Sequence, residues 1–177
     1  MGDLVKKSKV VPFLGTLGAS PDWAQIKKST SFTLAFNPQT KTFDFISDEQ
    51  PTEEIESYQP SLAQSLTMFK GEPDYERIFG MVYDLPTGAD AHRPVLIVFY
   101  KETASYTPSG GAETTVFKAW EVDALVKLNQ MDTVNENIDF DLAFNDIKRG
   151  AVTIGANGKP SFIEGTFADG EFTPTDE

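Results

Sequence analysis

Residues 136–144, ENIDFDLAF, alternate apolar and polar side chains without a break. Ile138, Phe140, Leu142 and Phe144 fall in one phase; Asp139, Asp141 and Ala143 fall in the other. A period of two is the period of a strand, whose successive side chains leave opposite faces. The pattern therefore demands a sheet with one face buried and one face wet. The same signal recurs along the chain. In 29–37, Thr30, Phe32, Leu34 and Phe36 oppose Ser31, Thr33, Ala35 and Asn37. Asn37-Pro38-Gln39-Thr40 supplies turn chemistry, and Phe43 and Phe45 then oppose Thr42, Asp44 and Ile46, so a hairpin is expected here. In 61–69, Leu62, Leu66 and Met68 oppose Ser61, Ala63, Ser65 and Thr67.

Later segments extend the sheet. RPVLIVFYK (93–101) is a continuous apolar run, as expected of a central strand covered on both faces. In 115–129, Val116, Trp120, Val122, Val126 and Leu128 share one phase, while Glu121, Asp123 and Lys127 share the other. Helix is the rival reading there, but the β-branched and aromatic content favours a long strand with room for a bend. AVTIGANGKPSFIEGTF (151–167) reads as a hairpin turning at Asn157-Gly158.

One helix stands out, over 73–84. Pro73 suits the first turn, where its missing N–H costs nothing, and Asp74 and Glu76 suit the positive end of the dipole. Tyr75, Ile78, Phe79, Val82 and Tyr83 form an apolar stripe, and Pro86 ends the helix. The stripe predicts that Phe79 and Val82 are buried on the sheet. The sum is a mainly-β single domain, a sandwich or barrel with one flanking helix.

The rest is read from punctuation and charge. Residues 1–27 lack a period and carry Pro12, Gly15, Gly18 and Pro21, so they read as an extended N-terminal arm before a core at 28–167 and a polar tail at 168–177. Six lysines face two aspartates across 1–41, whereas nine bases face twenty-five acids across 42–177. That asymmetry fits an arm lying on an acidic surface; a frayed terminus is the other reading. The connection 48–60, DEQPTEEIESYQP, is long and acidic and reads as an irregular loop. Arm and loop are expected to carry few apolar anchors and to need a partner for order.

The composition narrows the chemistry. There is no cysteine and a single histidine, His92, so thiol catalysis, cysteine-bound zinc and multi-histidine metal sites are excluded. The net charge of −12 opposes binding to nucleic acid or anionic membranes. No apolar stretch approaches the ~20 residues of a membrane span. The lysines before VVPFLGTLGA are only faintly like a leader, and an origin in the cytosol is expected. Asp139 and Asp141 stand ~7 Å apart on one strand face, a spacing open to a glycosidase pair but equally to two solvated acids. MDTVNENIDFD lacks the glycine and terminal glutamate of a calcium loop, and PSGGAE lacks the lysine of a phosphate cradle. His92 reads as a turn residue. No catalytic group, cofactor or metal site emerges, so an enzyme is not expected.

The segments FNPQTKTFDFISDE, YQPSLAQSLTMFKGEPDYE and DLPTGADAH carry a resemblance across 28–100 to the tail tube (major tail) proteins of long-tailed phages and prophages of Gram-positive bacteria. The resemblance implies a non-enzymatic virion protein made in the bacterial cytoplasm. Its copies form hexameric rings stacked into a hollow tube, with four strands per subunit lining the channel. A long loop between early strands and the terminal arms bridge successive rings. Implied partners are further copies of the chain and the tape measure, tail terminator and distal tail proteins, with phage DNA passing through unbound. In such a tube Asp44, Asp139 and Asp141 are expected to face the lumen, since Phe43, Phe45, Ile138, Phe140 and Leu142 need the opposite face for the core. Glu121 and Asp123 are further candidates, and Asp48, Glu49, Glu53, Glu54 and Glu56 belong to the inter-ring loop. The inner tube of a phage-derived contractile particle and a monomeric ligand-binding barrel are the alternatives.

Overall fold

The computed structural model describes residues 2 and 4–175; the ends of the expected arm and tail at 1, 3, 176 and 177 lie outside them. In chain order the strands are β1 (Val10–Leu14), β2 (Ala24–Gln25), β3 (Ser29–Ala35), β4 (Pro38–Phe43), β5 (Thr52–Tyr58) and β6 (Ser61–Thr67). Helix α1 (Pro73–Asp84) follows, and then β7 (His92–Tyr106), β8 (Thr114–Asp132), β9 (Asn137–Ile154), β10 (Pro160–Ala168) and β11 (Glu171–Pro174). The fold is mainly β in a barrel-like sandwich with one flanking helix, as the alternation predicts.

Three long antiparallel strands, β7, β8 and β9, run through both halves of the molecule. At one end β9 pairs β10, β10 pairs β11, and β11 returns to β7 through the bridge Glu171–Ser105. That closes the strands into a small barrel filled by Ala104, Val116, Ala151 and Phe172. Closure is tight enough to need glycine. A Cβ at Gly150 would run into the Ile163 carbonyl, and one at Gly165 into the Thr173 carbonyl. At the other end the strands fan into an open sheet, β2-β1-β7-β8-β9-β6-β3.

One face of the open sheet buries the alternating residues Leu62, Leu66, Val95, Ile97, Val122, Val126, Ile138, Phe140 and Leu142 against α1. Leu96 and Val98, on the opposite face of β7, pack with Val11, Phe13 and Trp23. The continuous run of β7 is thus covered on both sides, as expected.

Four expectations are corrected. The arm is not peripheral. VVPFL pairs with β7 residue by residue, and Val11, Phe13, Leu14, Trp23, Ala24 and Ile26 are buried. Its apolar run has no period because it is covered on more than one side. The tail contributes β11, whose Phe172 is buried in the closed barrel.

Helix α1 is rotated roughly a quarter-turn from its apolar stripe. Its buried line is Asp74, Ile78 and Met81, with Tyr75 and Val82 on the flank. Phe79 is 38% exposed and Tyr83 81%. The cause is Asp74, whose Oδ2 accepts the backbone N–H groups of Lys27 (2.9 Å) and Lys28 (3.3 Å) and so turns that face inward. A buried carboxylate needs such donors.

The fourth correction concerns the early hairpin. β3 pairs β6, not the strand that follows it. β4 pairs β5, so part of the expected loop 48–60 is a strand, and the two form a separate two-stranded sheet. Asn37, in the left-handed region at φ 45°, starts the excursion. Its side-chain amide donates to the Gln59 carbonyl (3.0 Å) and to Ser61 Oγ (3.1 Å), which holds the root closed.

Candidate functional site

Two features stand apart from the core: the polar face of the open sheet and the projecting β4–β5 hairpin. In an antiparallel ladder, residues directly opposite share a face. The register sets Asp139 between Gln130 and Ser65, and Asp141 between Lys127 and Ala63. It also sets Glu121 opposite Lys148 and Asp123 opposite Asp146. Of the five acids expected on one surface, Asp139, Asp141, Glu121 and Asp123 therefore lie together on the polar face. Asp44 does not; it follows β4 in the separate hairpin, where nothing ties it to this sheet.

The polar face is a hydrogen-bonded layer. Gln130 Nε2 donates to Asp139 Oδ2 (2.7 Å) and Asn129 Nδ2 to Asp141 Oδ2 (3.0 Å). Asn137 Nδ2 bridges Asp139 Oδ1 (3.2 Å) and Ser65 Oγ (2.7 Å). These amides were not evident from the sequence, because a bulge between Leu128 and Gln130 inserts Asn129 and turns Gln130 into the polar phase. A second bulge at Asn145 carries the phase from Ala143 to Asp146. His92 Nδ1 lies 3.1 Å from Asp123 Oδ2 and 3.4 Å from Asn145 Nδ2, so the lone histidine joins this surface layer.

Charge is unevenly compensated. Along this face Glu121, Asp123, Asp139, Asp141 and Asp146 meet two lysines, Lys127 and Lys148. Asp123 and Asp146 are directly opposed, which is unfavourable for like charges. Partial burial pushes the Glu121 carboxyl above its ordinary value; Lys148 opposes that shift and Glu164 adds to it. Glu121, Asp123, Asp146 and Lys148 line a hollow on this face together with Leu17, Gly18 and Pro94. The layer offers a wet, acidic surface whose carboxylates are held by amides.

The hairpin is the other half of the site. Every β5 residue is exposed. Glu53, Glu54 and Glu56 lie on β5, while Asp48 and Glu49 lie in the connection at the tip. Phe45, Ile46, Ile55 and Tyr58 are exposed on the same ribbon. Internal support is slight: a Lys41–Glu56 ion pair at 3.7 Å, Phe43 stacked on Phe45 at 5.8 Å, and Lys41 over Phe43. An isolated two-stranded ribbon is marginal in water.

Gln64 is the functional-site neighbour most at odds with its surroundings. It falls in the buried phase of β6 between Leu62 and Leu66, opposite Phe32 of the outer strand β3. Neither of its amide atoms has a partner among the described residues.

No protein-family model matches the chain, and no curated protein sequence matches it. Among solved structures, a chain from the sheath/tube terminator of an extracellular contractile injection system is similar at 11% identity and TM-score 0.49. That match covers 84% of this chain and 97% of the other. A chain from the sheath–tube complex of such a system is 11% identical at TM-score 0.44, covering 84% and 93%. One from the tube-terminating cap of the anti-feeding prophage is 12% identical at TM-score 0.44, covering 85% and 93%. Likeness of this extent assigns neither family nor role, which must rest on the chain's own geometry and sequence.

Proposed function

We propose that this chain is the structural subunit of a phage-type tail tube. In this reading copies join edge to edge into rings, rings stack into a hollow tube, and β3, β6, β9 and β8 turn their polar face to the channel. The observation that carries it is the form of that sheet. Among the described residues its outer strand β3 has an unpaired edge, one face is an apolar core, and the other carries small polar residues on β6 and acids on β9 and β8, up to the apolar cluster of Leu96, Val98 and Ala119. A free sheet edge is a template for the next chain, and a head-to-tail contact that closes gives a ring. Phe32 and Phe36, half-exposed at β3, would be covered by that neighbour.

An acidic wall suits passage of DNA. Duplex DNA carries one negative charge per ~1.7 Å of its axis, so carboxylates repel it where lysines would retain it. The β4–β5 hairpin, with Asp48, Glu49, Glu53, Glu54 and Glu56, then serves as the contact between successive rings. Asp44, on that hairpin, is reassigned from the channel to this contact. The sequence resemblance of 28–100 to tail tube proteins supports the same reading. Tape measure, terminator and distal tail proteins are the further partners it implies, in a virion tail. A monomeric ligand-binding barrel is disfavoured, because the closed end is packed with Val116 and Phe172.

The test is sedimentation of the concentrated protein together with negative-stain microscopy. Rings or tubes are expected. A chain that stays monomeric at high concentration and is missing from particles of the phage encoding it overturns the reading.

A further inference from the structure

The register of β7 against β8 breaks between Phe99 and Thr103. Where it breaks, a cavity of about 620 Å³ opens beside Gly150, Gly165 and Thr166. Phe99, Trp120 and Phe167 line it, Phe99 and Trp120 meeting edge to face at 5.4 Å. Two cations, Lys118 and Arg149, stand at its rim against one acid, Glu102. Lys118 lies over the Phe167 ring at 5.3 Å, and the Arg149 side chain is exposed. A second basic hollow, lined by Lys6, Lys9 and Lys101, flanks the same bulge. In a chain of net charge −12, this is a local excess of positive charge beside an apolar, aromatic hollow.

The hairpin tip is its chemical complement. Phe45 and Ile46 are exposed, and Asp44, Asp48 and Glu49 surround them. The paired part of the ribbon, Pro38–Phe43, extends about 20 Å at ~3.3 Å per residue, with Phe45 and Ile46 in the connection beyond it. Resting on the tube reading and naming the partner surface of its hairpin, we propose that the Phe45–Ile46 tip of one copy seats in the Phe99/Trp120/Phe167 cavity of a second copy. Its acids then face Lys118 and Arg149. Two of the other hollows fit worse. The cleft beside α1 is rimmed by Glu76, Asp84 and Asp90, and its Arg77 is already held by Asp22 and the Leu14 carbonyl. The hollow at Glu121, Asp123 and Asp146 would repel an acidic tip.

The absence of cysteine makes the test direct. The variant Ile46→Cys with Thr166→Cys, Thr166 lining the cavity, is assembled and then oxidised. Disulfide-linked dimers and higher multiples on a non-reducing gel are the expected result. Rings or tubes that form without interchain links overturn the seat and leave the tube reading standing. A wild-type chain that does not assemble and is missing from particles of the phage encoding it overturns the tube reading and this seat with it. Links confined to single chains in dilute monomer place the tip on its own body and also overturn the seat. As a second measurement, Lys118→Glu with Arg149→Glu should raise the concentration needed for assembly about tenfold. Adding Asp44→Lys with Asp48→Lys to the same chain should restore assembly; failure to restore it in a folded chain counts against the charge match.

Discussion

Exchanging Ile78 and Phe79 for alanine, one at a time, separates the two possible faces of α1. The apolar stripe in the sequence puts both on the sheet; the structure buries Ile78 completely and leaves Phe79 38% exposed. Ile78→Ala removes three carbons from a site packed with Val95, Ile97 and the β9 row. At ~0.8 kcal/mol per methylene plus a residual cavity, the loss is about 3–4 kcal/mol. Phe79 gives up its stacking on Tyr75, with ring centroids 5.6 Å apart, and partial burial. That is worth about 1 kcal/mol. For a chain of 177 residues, where 1 kcal/mol moves Tm by ~2–4 °C, the two variants should fall by about 10 °C and about 3 °C. Urea unfolding should give the same order with an unchanged slope. A Phe79→Ala loss equal to or larger than the Ile78→Ala loss would falsify the rotated helix.

Asp74→Ala should cost about 3 kcal/mol in urea unfolding, since it strands the amides of Lys27 and Lys28 that the carboxylate now accepts; a loss below ~1 kcal/mol would mean those bonds do not hold the helix in place. Glu121→Gln should raise Tm near neutral pH, because burial lifts the folded-state pKa and the charged form works against folding. The gain should vanish as pH falls through that raised value and the native carboxyl takes up its proton; an equal gain at acid pH would point to a cause other than charge. Asp139→Asn with Asp141→Asn keeps hydrogen-bonding capacity on the polar face and removes two charges per copy, so tubes should still form while DNA delivery slows and becomes salt-sensitive. Unchanged delivery by that variant would show that these positions do not govern passage.

Period-two alternation carried far because each strand buries one face, and that is a local property. Ile138, Phe140, Leu142 and Phe144 are all buried, as are Leu62 and Leu66, and Asn157-Gly158 makes its turn. What alternation cannot specify is which strand pairs with which. KTF could close on β3 through Asn37-Pro38 or on the glutamate-rich stretch after it, and both choices satisfy the same local pattern. The second wins because β6 takes β3 as its partner, placing Leu34 beside Leu62 in the core. β5 then forms despite Glu53, Glu54 and Glu56, with Thr52, Ile55 and Tyr58 supplying strand-forming residues. The arm lacks a strand period for a related reason. Val10–Leu14 has no alternation because its neighbours lie on several sides, and burial on both faces erases the very period that marks a strand.

The candidate site divides along the same line. Asp139 and Asp141 share a face with Asp123 and Glu121 because phase within each strand is local and the β8–β9 ladder aligns the phases. Two bulges could have broken that alignment, yet each inserts one residue and restores the face beyond it: Gln130 returns opposite Asp139, and Asp146 opposite Asp123. Asp44 obeys the same phase rule beside Phe43 and Phe45, but its ribbon belongs to another sheet. Phase within a strand says nothing about sheet membership. The consequence is physical as well as topological. Phe43 and Phe45 do not enter the core that was to hold Asp44 outward; they stack on each other, and Phe45 stays exposed at the end of the ribbon. Phe45 and Ile46, which find no core in their own chain and lie among Asp44, Asp48 and Glu49, are poised for a surface that is apolar and basic. The same chain offers one at Lys118 and Arg149.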